Sequence, residues 1–281
     1  MEWAVQISLM IGCVYLVSPV VIWLTFRQRV YAPYEPIDRV ELPAKLNRFL
    51  RRVGPELERE GFTLLASLRQ TGSVVAVSAY LTVWQHPERG QLANVYAVVP
   101  AVLLPTQLVL EFETVTADGR DVMTNSARAN AAIYDALPWR HVASLPWLAA
   151  RPAELYRVHL HRERRLLDAA APRYLPPSDS LPESAAADAQ FLLHEQVRTG
   201  LFREPRVAGE FRPTWSGAWR LVMRLLPPVK QLRLLAARRR ARADEAESRA
   251  APPTARSPGP VEVTRQSPYD HPLQRFPLNY A

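Results

Sequence analysis

Residues 106–127, with the sequence TQLVLEFETVTADGRDVMTNSA, contain two strand-like runs joined by a tight turn. The runs TQLVLEFETVT and DVMTNSA are rich in Val, Thr and other residues that favour strands. Asp118-Gly119 lies between them, and this dipeptide is typical of a hairpin turn. Along the first run two sets of side chains alternate, namely Leu108, Leu110 and Phe112, and Val109, Glu111 and Glu113. The stretch therefore predicts an antiparallel hairpin.

The sequence before this hairpin extends the same pattern. Three more runs have strand composition and are separated by turn residues: FTLLASLRQ (62–70), SVVAVSAYLTVWQH (73–86) and QLANVYAVV (91–99). Before them, LPAKLNRFLRRVGPELEREGF places apolar residues at helical spacing: Leu42, Leu46, Phe49, Leu50, Val53 and Leu57. Together these features predict an α+β domain, in which an antiparallel β-meander packs on a helix.

The amino-terminal segment is a candidate membrane anchor. No residue in the stretch 3–26 is charged, and a helix needs about 20 apolar residues to cross the hydrocarbon layer of a bilayer. Trp3 and Trp23 lie near its two ends, as in an interfacial aromatic belt. A cleaved signal peptide is disfavoured, because the chain starts with Met1-Glu2 and the apolar run is long. We therefore expect residues 1–29 to form a transmembrane anchor.

The charges that flank this segment predict its orientation. Arg27 and Arg29 follow the apolar run, whereas Glu2 is the charged side chain before it. Basic flanks remain on the cytoplasmic side of a membrane. The sequence therefore predicts a single-pass protein with its amino terminus outside and the bulk of the chain in the cytoplasm.

Composition restricts the functional classes. The 281-residue chain has a formal net charge of +8, which favours anionic partners such as phospholipid headgroups. Its single cysteine, Cys13, excludes an internal disulfide and a multi-cysteine zinc site. We find no G-x-S-x-G motif, phosphate-binding loop, Rossmann glycine pattern or metal-ligand spacing. No cofactor or metal is therefore predicted.

Two pairs of residues are weak catalytic candidates. Glu111 and Glu113 share one strand face, and a carboxylate pair can supply the acid and base of glycoside hydrolysis. The favoured interpretation is that they lie on the solvated face of a half-buried sheet. His159 and His161 lie in YRVHLHRERR, residues 156–165, whose context is helical, so they point apart and cannot share a metal. The arginines beside them are expected to form an exposed flank.

The middle third of the chain resembles a bacterial family. TADGRDVMTNSA, then LPW, then PAELYRVHLHR is similar to a pattern in uncharacterised membrane-anchored bacterial proteins. That pattern runs a strand-ADG-strand-TN hairpin into an L-Y-R-x-H helix. This chain departs from it after Asn125, where Ser126 replaces a second Asn. The resemblance implies a shared fold unit at the inner (cytoplasmic) membrane of a bacterium and names no activity.

Residues 212–242 contain nine Arg or Lys and no acidic residue. In each of two segments, helical spacing places the apolar side chains on one side of a helix and the basic side chains on another. One interpretation is that these helices lie on an anionic inner leaflet. A packed amphipathic helix that completes the core is the other, and both remain open. Nucleic-acid binding is disfavoured, because no recognisable binding fold is present. The residues assigned to the membrane surface are Trp215, Trp219, Arg220, Arg224, Lys230, Arg233, Arg238, Arg239 and Arg240.

These patterns divide the chain into an anchor (1–29), an α+β domain (37–170), a Pro-rich linker (171–183), a helical basic region (184–248) and a disordered tail (249–281). The carboxyl-terminal helices are expected to be amphipathic. The predicted function is a membrane-tethered cytoplasmic interaction or scaffold protein that binds an unidentified protein partner. The alternative is a membrane-bound enzyme of unrecognised class that uses Glu111 and Glu113, or His159 and His161.

Overall fold

The computed structural model describes residues 2–29, 34–71, 77–100, 105–127, 135–168, 171–176, 180–205, 210–251 and 262–265. The helices are α1 (Glu2–Thr25), α2 (Ala44–Arg59), α3 (Pro152–Leu166), α4 (Leu181–Arg198), α5 (Trp215–Leu225) and α6 (Val229–Ala250). The strands are β1 (Gln28–Arg29), β2 (Tyr34–Pro36), β3 (Thr63–Thr71), β4 (Val77–His86), β5 (Gln91–Pro100), β6 (Gln107–Thr116), β7 (Asp121–Asn125), β8 (Arg140–Ser144), β9 (Arg173–Tyr174), β10 (Phe202–Arg203), β11 (Glu210–Pro213) and β12 (Val263–Thr264).

A mixed sheet of nine strands organises the fold. Its main path has the order β12-β9-β6-β5-β4-β3-β2, and β7 and β8 continue from β6. Strands β3 to β7 pair antiparallel in chain order, which confirms the predicted meander and its Asp118-Gly119 turn. The sheet is mixed because β8 runs parallel to β7 and β12 runs parallel to β9. The α+β class is therefore confirmed.

The first face of the sheet carries the main core. The apolar stripe of α2 is buried there, as its helical spacing predicts, and it packs with Trp84, Phe112 and Tyr156. Helix α3 lies on the same face and adds Leu155 and Val158. Apolar burial of this kind stabilises a fold by about 25 cal/mol per Å² removed from water. The first face therefore contains the largest buried apolar cluster of the described residues.

The second face is also covered. Leu181 at the start of α4 is buried with Leu68 and Val83, and Tyr34 and Leu92 pack against this cluster. The sequence predicts a half-buried sheet with this face in water, and that expectation is wrong. The cause is α4, which contributes the covering side chains from a part of the chain that is distant in sequence from the strands.

A second apolar cluster joins the end of α1 to the rest of the protein. Phe202, Phe211 and Leu221 are buried in it, and Ile22 and Phe26 pack against them. Strand β1, directly after α1, pairs antiparallel with β11, and β11 pairs with β10. The last turn of α1 is therefore built into the folded part of the protein.

Two short strands lie where the sequence predicts irregular chain. Residues 171–183, the predicted Pro-rich linker, include β9, which pairs with the end of β6. Residues 249–281, the predicted disordered tail, include β12, which pairs with β9. A two-residue strand is too short for an alternating pattern, so composition alone assigns these segments to loops. The tail residues 252–261 and 266–281 lie outside the described residues.

Helix α1 occupies most of the predicted anchor and contains Pro19. Within the part of the chain that the structure describes, no helix combines the length and the apolar character that crossing a bilayer requires. The predicted helix is therefore present, whereas its crossing of a membrane is not confirmed.

Candidate functional site

A cavity of about 390 Å³ lies between the second face of the sheet and α4. Its walls are mainly apolar and aromatic, and titratable side chains converge within it. We call it the carboxylate cavity, after the polar residues Asn94, Glu111, Glu113, Asp121, Arg140 and Asp188 that line it. A largely apolar pocket with a few convergent polar groups is the usual form of a small-molecule site.

Strand alternation places the carboxylates of β6 in this cavity. Phe112 points to the first face and joins the main core, so its neighbours Glu111 and Glu113 point to the second face. The pairing of β6 with β7 sets Glu111 opposite Asn125. Asp121, at the start of β7, adds a third carboxylate to the same face. Three acidic groups are thus brought together by two neighbouring strands.

One arginine and two asparagines contact these carboxylates. Arg140 on β8 lies opposite Asp121, and its Nε is 3.0 Å from Asp121 Oδ2. Asn125 Nδ2 donates to Glu111 Oε2, and Asn94 Nδ2 donates to Glu113 Oε2, each at 3.4 Å. Both hydrogen bonds are long, so the amides satisfy the glutamates only weakly.

The second oxygen of Asp121 is left without a partner. Asp121 is only 2 % exposed, and its Oδ1 accepts no hydrogen bond from any described residue. Burying a polar atom without a hydrogen bond costs about 1–3 kcal/mol. Asp121 Oδ1 can therefore accept a hydrogen bond from a group bound in the cavity.

Burial changes the protonation of the glutamates. It raises the pKa of Glu111 from an ordinary value near 4.5 to about 7, and the charge on Glu113 raises it further. Burial likewise raises the pKa of Glu113, although Arg140 opposes this rise. Because Glu111 is only 8 % exposed, the predicted solvated position of the pair is wrong. The sequence signal for this burial is the apolar run in α4, which the strand pattern alone does not include.

Burial also raises the pKa of Asp121, and the Arg140 guanidinium opposes the rise. Asp121, Arg140 and Asp188 were not among the sequence candidates. Nothing in their local spacing marks them, because they are assembled by the pairing of β7 with β8 and by the packing of α4.

The walls of the cavity are suited to an apolar body. Trp139 and Phe191 face each other with ring centroids 5.5 Å apart. Leu181, Met123 and Val115 contribute aliphatic surface. The site therefore combines apolar walls with a group of carboxylates on its strand side.

The two histidines point apart, as their helical spacing predicts. His159 is fully buried, with Nε2 2.9 Å from Thr114 Oγ1 and Nδ1 3.3 Å from Thr124 Oγ1. Burial, and to a smaller extent Arg162, lowers the pKa of His159 to about 3, so the ring is neutral at neutral pH. His161 lies on the other side of α3, and its Nε2 is 3.2 Å from Glu247 of α6. His159 is therefore a structural residue that links α3 to the sheet.

The arginines beside these histidines form the predicted exposed flank only in part, because Arg164 and Arg165 are exposed whereas Arg162 is not. Arg162 is buried and donates to the Met123 carbonyl oxygen and to Thr124 Oγ1 at 2.6 and 2.8 Å. Arg165 is half exposed and pairs with Asp244 of α6 at 2.8 Å. Helix α6 covers this side of α3, which the sequence does not indicate. Among the described residues, no group of three or more His, Cys, Asp or Glu could hold a metal ion.

The residues expected at the membrane fall into two groups, and those of α5 are packed against α1. Trp215 lies edge-on to Trp23, with ring centroids 5.9 Å apart, and Trp219 lies 6.3 Å from Trp215. Arg220 and Arg224 both pair with Asp135. Leu221 and Val222 of α5 are buried, in agreement with the packed interpretation, whereas Trp215 is 48 % exposed.

The other residues expected at the membrane lie on α6 or flank α1. On α6, Arg233, Arg238, Arg239 and Arg240 are exposed and Lys230 is half-buried. Leu232 and Leu235, on the same part of the helix, are 63 % and 52 % exposed. At the anchor, Trp3 is exposed, Arg27 pairs with Glu210 at 3.0 Å, and the side chain of Arg29 lies outside the description. The first half of α6 therefore keeps an apolar and basic surface free for contact.

No protein-family model, curated protein or solved structure matches the chain. Function is therefore inferred from the carboxylate cavity and from the placement of α1 and α6.

Ionisation of Glu111 is expected to make stability depend on pH. The pKa of this carboxyl is raised in the folded protein, so the folded state binds the proton more tightly than the unfolded chain does. Its contribution to stability is complete below about pH 4.5 and is lost as the pH rises through about 7. We expect Glu111→Gln to reduce the fall in Tm between about pH 5 and 8.5 by at least about 2 °C.

Glu58→Gln is the control for this measurement, because Glu58 is exposed on α2. Thermal unfolding of both variants and of the unmodified protein across the pH range measures the effect. An unchanged pH slope in Glu111→Gln would show that Glu111 ionises in the folded protein as it does in water.

Proposed function

We propose that the protein is a membrane-tethered interaction protein that receives its partner at the carboxylate cavity. The observation that carries this proposal is the attachment of α1 to the folded part. Phe26 stacks on Phe202, and Arg27 pairs with Glu210, so the two residues that directly follow α1 join the helix to the domain. The domain is then held at a defined position relative to whatever surrounds α1.

The surface of α1 supports a lipid environment. Its large apolar side chains are exposed over most of its length, and soluble proteins rarely expose so large a continuous apolar surface. No charged residue occurs in the stretch 3–26. The exposed side chains are Trp3, Leu9, Met10, Val14, Leu16, Val17, Val20, Val21 and Leu24.

Crossing of the bilayer by α1 is part of the same proposal. The side chains of six residues in the first half of the helix lie outside the description, among them Val5, Ile7 and Ile11. Counted by sequence, the uncharged stretch has the length that a bilayer core needs. Arg27 and Arg29 support an orientation with the amino terminus outside and the domain in the cytoplasm of a bacterium.

Placing a charge at the centre of α1 is expected to release the protein from membranes. An arginine at a helix centre costs about 2.5–3.5 kcal/mol of insertion free energy, so we expect Val14→Arg to lower the membrane-bound fraction. Thr25→Arg, at the cytoplasmic end of α1, is the matched control and should stay bound. Sedimentation after alkaline carbonate extraction measures both. Extraction of the unmodified protein by carbonate would contradict the proposed crossing.

The first half of α6 is proposed to contact the anionic inner leaflet. Leu232 and Leu235 provide apolar surface beside exposed arginines, and each basic residue near such a leaflet contributes about 1 kcal/mol. The packing of α5 against α1 supports this arrangement, because α6 follows α5 directly.

Anionic lipid is expected to protect residues 229–240 from hydrogen exchange. We expect slower exchange there in nanodiscs that contain phosphatidylglycerol than in nanodiscs of phosphatidylcholine alone. Replacing Arg238, Arg239 and Arg240 by Gln should remove the difference, whereas replacing the exposed Arg51 and Arg52 of α2 should not. Equal exchange in the two lipids would remove the membrane-surface assignment of α6.

A membrane-bound enzyme is the second candidate function, because Glu111 and Glu113 lie in a cavity and have raised pKa values. Two residues along a strand are about 7 Å apart, a spacing that leaves room for a reacting group between an acid and a base. His159 is disfavoured in this role, because both of its ring nitrogens already contact threonine side chains. His161 is disfavoured because it lies on the opposite side of α3 and contacts Glu247.

Crosslinking in cells is expected to distinguish the two functions. A photoreactive residue replacing Ala185, which lines the cavity, should capture a specific protein, whereas one at the exposed Arg51 should not. For an interaction protein, Glu111→Gln should reduce both this capture and the function measured by complementation of a deletion. An enzyme would lose complementation and retain the capture. Equal capture from Ala185 and Arg51 would contradict partner binding at the cavity.

A further inference from the structure

We propose that the carboxylate cavity binds a small organic cation, an ammonium group carried on a compact apolar body. The inference rests on the proposed function in taking the cavity as the recognition site, and it adds that the cavity binds this cation as well as contacting the protein partner. Three observations carry it: the balance of charge in the cavity, an acceptor without a donor, and the nature of the walls.

The charge of the cavity is unbalanced. Among the described residues that line it, Glu111, Glu113, Asp121 and Asp188 are acidic and Arg140 is the single basic residue. Arg140 is ion-paired with Asp121, and its charge also opposes the rise in the pKa of Glu111 and Glu113, so one guanidinium is shared among three carboxyl groups. Like charges in a low-dielectric space disfavour one another. A bound cation would compensate the negative charge that these carboxyl groups gain when they lose their protons.

The free oxygen of Asp121 points to a donor on the ligand. Arg140 Nε contacts Oδ2, and no described residue donates to Oδ1. Asn125 and Asn94 donate to Glu111 and Glu113 at 3.4 Å, and Glu111 also has hydrogen bonds with Asn94 and Tyr96, so Glu113 keeps more acceptor capacity than Glu111. An ammonium group has three donors and no acceptor, so it matches a site made of carboxylate oxygens. A neutral hydroxyl would supply only one donor, and a carboxylate would supply none.

The walls define the rest of the ligand. The volume of about 390 Å³ lies in the range of small-molecule pockets, about 300–1,000 Å³. Trp139 and Phe191 line the cavity with their rings tilted at 46° to each other, and aromatic rings attract cations as well as apolar groups. Leu181 and Met123 add aliphatic contact. These dimensions and surfaces favour a compact ring or branched chain that bears one amine.

Binding of a cation should be linked to proton release. The ammonium stabilises the ionised carboxylates, so affinity should rise with pH as Glu111 and Glu113 lose their protons. Other titratable or charged groups also face this pair from the surrounding elements, and they share in the linkage: Tyr34 of β2, Tyr96 of β5, Asp121 of β7, Arg140 of β8, Tyr174 of β9 and Asp188 of α4.

Three probes of one shape test the proposal on the full chain in nanodiscs. These are cyclohexylmethylamine, cyclohexylmethanol and cyclohexanecarboxylate, which differ in charge and share a ring. By calorimetry at about pH 8 we expect the amine to bind at least about tenfold more tightly than the other two. Lowering the pH to about 6 should weaken binding of the amine and leave the affinity for the alcohol unchanged. Calorimetry in buffers of different ionisation enthalpy should show proton release.

Variants connect this binding to the cavity. Glu111→Gln and Glu113→Gln should each lower the affinity for the amine about tenfold or more. Glu58→Gln should leave that affinity unchanged. Thermal unfolding establishes that each variant is folded. Ala185→Trp, which fills the cavity from α4, should abolish binding of the amine and the alcohol alike.

Four outcomes would overturn the inference, and they can be separated from failure of the proposed function. Equal affinity for the alcohol, or preference for the carboxylate, would leave the cavity as a recognition site and remove its selection for cations. If none of the three probes binds the folded protein, the proposal that the cavity binds a small organic cation is wrong. Tighter binding of Nα-acetyl-lysine methylamide than of the amine would assign the cavity to a lysine side chain of a protein. The proposed function fails separately, through carbonate extraction or equal crosslinking from the two positions.

Discussion

Burial of β6 on both faces is the constraint on which the rest of the structure depends. Because side chains alternate along a strand, Phe112 cannot enter the main core unless Glu111 and Glu113 turn towards α4. A one-residue shift of register would exchange the two sets and place carboxylates among the core aromatics. The hairpin with β7 and the long pairing with β5 fix that register.

This arrangement concentrates charge that the fold only partly compensates. Arg140 pairs with Asp121, and Asn125 and Asn94 donate to Glu111 and Glu113 at 3.4 Å, which is a long distance for a hydrogen bond. Burial raises the pKa of Glu111, Glu113 and Asp121. These groups therefore keep protons at a pH at which carboxyl groups in water would lose them. On the opposite face, by contrast, Glu163 is buried within 3.3 Å of Arg173 and forms part of a paired network. The buried acid on the first face is thus paired with an arginine, whereas the amide hydrogen bonds to the glutamates on the second face are long.

The parts that the sequence predicts are those whose signal is local. The apolar stripe of α2 and the alternation in β3 to β7 each lie within a short window, and the structure confirms both. The strands β9 and β12 are too short for any period, so their pairing depends on contacts between distant segments. The carboxylate cavity was missed for the same reason, since Glu111 and Glu113 are visible in the sequence and the helix that covers them is distant.

The shared packing of α1 and α4 has a mechanical consequence. Leu193 of α4 is buried in the cluster against which Ile22 of α1 and the following Phe26 pack. Asp188 and Phe191, two turns or less away along α4, line the cavity. A helix is stiff over such a distance, so a force on one end moves the other. With α1 placed in a bilayer as proposed, a change in the tilt of this helix would therefore reposition one wall of the cavity.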